Sequence, residues 1–132
     1  MSSVDPTTEH RSIDRYHVRW KIALVFDELD NQSTYHGRTH DLSLRGTAMH
    51  TDVNMLATAP VVILLAPPPL IAGQEQKLIE INARQIYAVY SGESFCFRLG
   101  FAFVSFKGNG FAVLKERLTH HQPKTFSKRP AA

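Results

Sequence analysis

The sequence predicts a mainly β domain, a small antiparallel barrel of six or seven strands with one C-terminal helix. Three observations carry that expectation. Apolar and polar residues alternate over long stretches, most clearly in YHVRWKIALVF from Tyr16 to Phe26. Clusters of Gly, Pro, Asp, Asn and Ser punctuate these runs. A helical pattern occurs only near the end, in KGNGFAVLKERL.

In the first run Tyr16, Val18, Trp20, Ile22, Leu24 and Phe26 share one parity and His17, Arg19 and Lys21 the other, as in a half-buried strand. DELDNQS supplies loop residues, and TYHGRTHDL returns as a second strand in which Gly37 marks a bulge or a close backbone approach. DLSLRG then turns into the short strand TAMH, and a polar stretch leads to VVILLA, which Pro67, Pro68 and Pro69 must end. KLIEINARQIYAVY and SFCFRLGFAFVSF form a hairpin around SGE. In its second arm Phe95, Phe97, Leu99, Phe101 and Phe103 are expected on one buried face, Ala102, Val104 and Phe106 on the other, and Gly100 at a bend or close approach. Asn109 stands where a helix cap belongs, ahead of a face made by Phe111, Leu114 and Leu118. Closure of the sheet would protect its edges.

At 132 residues the chain suits one domain with its own core. Residues 1–10 read as a flexible segment, 11–118 as the barrel with its helix, and 119–132 as a basic, disordered tail. Cys96 is the sole cysteine, so an intramolecular disulfide is excluded; a reducing compartment and a packing role are expected. MSSVDPTTEH lacks the features of a secretory signal, and the prolines break the most apolar run well short of the ~18 residues of a membrane span. A cytoplasmic protein without membrane insertion is therefore expected. The net charge of +3 suits an anionic ligand without requiring one.

Several chemistries lack their residues. His36 and His40 stand four apart, about 13 Å in a strand, too far to share a metal ion, and His120 and His121 have no acidic or cysteine neighbours. There is no nucleophile elbow and no phosphate-binding loop, and Cys96 sits in an apolar run. Neither an enzyme nor a metal or cofactor site is expected. The stretch GFAFVSF, Gly100 to Phe106, fits the RNP1 strand of the RNA recognition motif, but the alternating helices of that fold are missing. An RNA-binding domain using Phe101 and Phe103 is thus a minor reading, and no nucleic-acid polymer is expected as a partner.

The remaining signal is a pair of short motifs. Arg11 and Arg15 stand as R-x-x-x-R just before the first strand, and Asp41, Ser43 and Gly46 stand as D-x-S-x-x-G at the next turn. Arg15 and Arg19 share the same spacing, but Arg19 falls within the alternating strand, on its outer parity. The two motifs, in this order, resemble the signatures of the PilZ family of cyclic di-GMP receptors. Gly100 and Phe103 match the G-x-x-F of that family's last strand, and the resemblance covers about residues 11 to 118.

The resemblance implies a bacterial second-messenger receptor that binds cyclic di-GMP through Arg11, Arg15, Asp41, Ser43 and Gly46, with His10 and Arg84 as further candidates. His10 replaces an additional arginine found in many members, which leaves open whether one ligand or a stacked pair is bound. An arginine fork can grip a guanine edge or a phosphate, and the ligand offers two of each. Asp41 could accept from guanine N1 and N2, Ser43 could bond the base or a phosphate, and Gly46 permits positive φ and close approach. The same three residues also serve ordinary turns. The implied output is ordering of the arginine arm and signalling to a separate effector protein in motility, pili, chemotaxis or exopolysaccharide control. A PilZ-like adaptor that binds no nucleotide is the competing reading.

Overall fold

The computed structural model describes residues 14–28 and 31–121. Six strands, β1 (Lys21–Glu28), β2 (Asn31–Leu42), β3 (Gly46–Thr51), β4 (Val61–Ala66), β5 (Ile79–Ser91) and β6 (Cys96–Phe106), precede the helix α1 (Gly110–Leu118). All pairings are antiparallel, and the order β1-β2-β3-β6-β5-β4 closes because β4 pairs with β1. The expected barrel is therefore found, with six strands. The expected N-terminal segment, with His10 and Arg11, lies outside the described residues, as does the tail beyond His121.

Alternation builds the interior. Ile22 and Leu24 of β1, Val61, Ile63 and Leu65 of β4, and Ile79, Ile81 and Ala83 of β5 all point inward and are buried. Each large side chain buried in this way contributes roughly 1.5–3 kcal/mol. Pro67 ends β4 as expected. No described helix is long and apolar enough to cross a membrane.

The first strand begins later than its alternation suggests. Val18 and Trp20 are buried on the expected parity, yet Tyr16 to Trp20 forms only an isolated bridge between Tyr16 and Leu42. The Thr39 hydroxyl replaces a regular ladder there, donating to the Val18 carbonyl and accepting the Trp20 N–H at 3.0 Å. Three one-residue bulges, at His40 in β2, Ile86 in β5 and Val104 in β6, interrupt the registers. Such insertions re-aim the side chains that follow them. Gly37 is not a bulge; a Cβ there would come within 2.7 Å of the Met49 methyl group.

Two apolar faces differ from expectation. Phe95 is 82% exposed at the tip of the β5–β6 hairpin with φ of 56°; Val104 is exposed at the bulge, after which Phe106 comes opposite the buried Ile81 and packs against the core. On α1 the buried face is Gly110, Leu114, Arg117 and Leu118, whereas Phe111 is exposed against Phe106. Gly110 lets the helix settle on the barrel, since a Cβ there would sit 3.0 Å from Ile79. Asn109 occupies the cap position, but its side chain makes no capping bond.

Candidate ligand-binding face

The bulge at His40 decides where Asp41 points. Thr39 lies opposite Met49 of the core, whereas Asp41, one insertion later, lies opposite Ala48 on the outer face of the barrel. From there the pairings run Asp41, Ala48, Gly100 and Tyr87 in one row across β2, β3, β6 and β5. Small residues in the middle make this row a trough. A Cβ on Gly100 would fall 2.2 Å from the Tyr87 ring, so the ring lies flat against the strand where glycine leaves space.

Two arginines close over Asp41. Arg15 Nη2 donates to Oδ1 at 2.6 Å and Arg98 Nη2 donates to Oδ2 at 3.2 Å, while Arg98 Nε donates to the Tyr87 hydroxyl at 3.1 Å. The carboxylate is 2% exposed, but the Arg15 and Arg98 side chains are 45% and 33% exposed. The buried anion therefore fixes one end of each guanidinium and leaves other N–H groups facing outward. The bond to Tyr87 is the main cause of a raised Arg98 pKa, with burial opposing it. Arg15 itself is held by reciprocal backbone bonds between Tyr16 and Leu42, at 2.8 and 2.9 Å.

The turn from β2 to β3 is closed by its own side chain. Ser43 Oγ accepts the N–H groups of Arg45 at 3.0 Å and Gly46 at 3.2 Å, and Ser43 N–H donates to the Gly46 carbonyl at 2.9 Å. The serine hydroxyl is thus engaged in turn geometry. Gly46 does not adopt positive φ. Its need is proximity: a Cβ would lie 2.3 Å from the Phe101 carbonyl oxygen, where β3 and β6 meet.

Beside this turn a pocket of about 740 Å³ opens on the outer surface. Arg15, Arg45 and Arg98 stand on its cationic side, and Leu44, Ile86, Phe103 and Phe106 give it an apolar wall. Three arginines against the one Asp41 carboxylate leave an excess of two positive charges. Arg15, Ser43 and Gly46 line the pocket and Asp41 lies directly beneath its arginines; Arg84 is exposed opposite Ala102, in the same row as Gly46, and does not line it.

Tyr87, Arg98 and Arg45 were not singled out from the sequence. Arg98 carried a usable signal, being the sole charge in FCFRLGFAF, but its partner depends on the pairing of β3 with β6. Histidines flank the same row. His40 and His50 stack with ring centroids 4.3 Å apart, and His17 meets His40 edge-on at 5.4 Å. Burial lowers the pKa of both His40 and His50, reinforced for His40 by His50 and then Arg98, and for His50 by Arg98 and Arg19. Among the described residues no group of three His, Cys, Asp or Glu is arranged to hold a metal ion.

No family model matches the sequence, and no curated protein matches it closely enough to report. Solved structures do. The Bacillus subtilis inhibitor of motility (MotI/DgrA) superimposes with a TM-score of 0.61 at 12% identity, covering 83% of this chain and 50% of that one. The PilZ domain of YcgR from Escherichia coli, solved with c-di-GMP, superimposes with a TM-score of 0.54 at 19% identity, covering 83% and 88%. The fold is that of a PilZ domain. The chain spans about half of the motility inhibitor and most of the YcgR domain. On this PilZ-like barrel the RNP1-like stretch is part of the wall: Phe101 is buried in the core and Phe103 is half-buried, so the strand offers no open stacking face of the kind an RNA-binding sheet needs.

Proposed function

We propose that this chain is a cyclic di-GMP receptor and adaptor, whose ligand seats in the pocket between the Arg15–Asp41–Arg98 group and the turn at Ser43–Gly46. The observation that carries the reading is the pocket's composition. An excess of two positive charges faces an apolar wall, which suits a ligand of two phosphates and two planar bases. A PilZ-like barrel solved with c-di-GMP supports it as well.

Roles differ among the residues. Arg15 and Arg98 present their free N–H groups to phosphate or to a guanine edge, and Asp41 acts by aiming both, since its oxygens are already taken. Arg45 adds charge at the rim, Ser43 holds the turn, and Gly46 keeps its backbone close to β6. Arg11 and His10 join from the segment preceding Arg15. Ligand binding then orders that segment against the barrel, and a separate effector protein reads the altered surface.

Isothermal titration of cyclic di-GMP into the full chain tests this. Saturable binding is expected, weakened roughly 10- to 100-fold in Arg15→Ala or Arg98→Ala, as loss of a bidentate contact implies. Absence of heat with a folded sample overturns the receptor reading and favours an adaptor that works through protein contacts alone.

A further inference from the structure

A second pocket, of about 520 Å³, lies between the triple-proline loop and the end of α1. It shares no lining residue with the pocket described above. Arg117, His120 and His121 supply its charged and polar lining. Trp20, Leu70 and Ile71 give the same pocket an apolar part.

Arg117 is the unexplained group. It is only 3% exposed, yet none of the described residues gives it a carboxylate partner. Its one hydrogen bond among them runs from Nη1 to the Pro68 carbonyl at 2.7 Å, out of five N–H donors. A buried guanidinium normally has an anionic partner. The last carbonyls of α1 accept backbone N–H groups, Lys115 and Glu116 from Thr119, Arg117 from His120, and Leu118 from His121, and none of them is bonded to the guanidinium.

The walls define what completes it. Trp20 is buried and its ring lies 5.9 Å from that of His121, while Ile71 is 70% exposed at the rim. We propose that this pocket binds an organic anion, its carboxylate or phosphate on Arg117 and its apolar body against Trp20, Leu70 and Ile71. The site is independent of cyclic di-GMP binding, so either can fail alone.

Proton–nitrogen NMR of the full chain provides the test, because Trp20 is the sole tryptophan and its indole N–H gives one unambiguous signal. Phenylacetate, phenyl phosphate and neutral 2-phenylethanol are titrated separately. Saturable shifts of the Trp20 indole and Arg117 Nε–H signals are expected from at least one anion, at least tenfold weaker with the alcohol; the better anion identifies the head group. Arg117→Lys should weaken that binding. Ile71→Ser, at an exposed position that leaves the fold intact, should weaken it too. Equal binding of alcohol and anions, or no saturable shift from any probe, overturns the proposal and leaves Arg117 as a tether to Pro68.

Discussion

The Asp41 cluster makes a non-additive prediction. Removing Arg15 alone leaves the buried carboxylate with Arg98, and removing Arg98 alone leaves it with Arg15. A charged hydrogen bond contributes roughly 1.5–3 kcal/mol. Both arginines are partly exposed, so solvent screening reduces each single loss to about 1 kcal/mol. Removing both strands a carboxylate that is 2% exposed, and that situation costs about 3–5 kcal/mol. The double variant Arg15→Ala/Arg98→Ala should therefore lose at least about 1 kcal/mol more than the two singles combined. Adding Asp41→Ala to that background should restore stability, because the unpaired buried charge is gone. Urea unfolding at pH 7, with unchanged m-values, measures all four variants. Losses that add within about 0.5 kcal/mol, together with no rescue by Asp41→Ala, would refute the view that Asp41 is held by two interchangeable cations.

Further perturbations separate the parts of the face. Gly46→Ala should destabilise the barrel by roughly 1–3 kcal/mol in urea unfolding, since the Cβ would meet the Phe101 carbonyl at 2.3 Å and backbone must move. Gly100→Ala meets only the Tyr87 ring, a side chain that can swing outward; the expected loss is smaller, and NMR should show the ring leaving Gly100 and Arg98 losing its hydroxyl partner. Stability should also fall in mild acid. His40 and His50 have folded pKa values below the unfolded value of about 6.5, so the unfolded chain binds more protons as pH drops below that value. Stability present above about pH 6.5 is thus lost as pH falls through the folded values, and His50→Gln should flatten this limb when unfolding midpoints are followed from pH 8 to 5.

Local features were legible in the sequence because they depend on residues near one another in the chain. Alternation placed Val18, Trp20, Ile22 and Leu24 inside, the prolines ended β4, and DLSLRG formed the turn between β2 and β3. What escaped depends on register. Nothing local announces the extra residue at His40, yet without it Asp41 would share the inward face of Thr39 and Leu42 would point away from the core. The insertions at Ile86 and Val104 likewise change parity, bringing Tyr87 opposite Gly100 on the outer face and Phe106 opposite the buried Ile81, which is why simple parity misplaced part of β6.

The same dependence explains why Asp41, Ser43 and Gly46 are engaged within the fold itself. Ser43 and Gly46 are spent on building the turn and on letting β3 approach β6, and that approach brings Arg98 beside Asp41. Asp41 in turn aims one arginine from the segment before β1 and another from β6, separated by 83 positions in the sequence. The turn motif thus holds two arginines from distant parts of the chain over one face of the barrel. Replacing Asp41 should accordingly weaken ligand binding through misdirected arginines, and Asp41→Asn, which keeps the shape but donates as well as accepts, should fail to restore it.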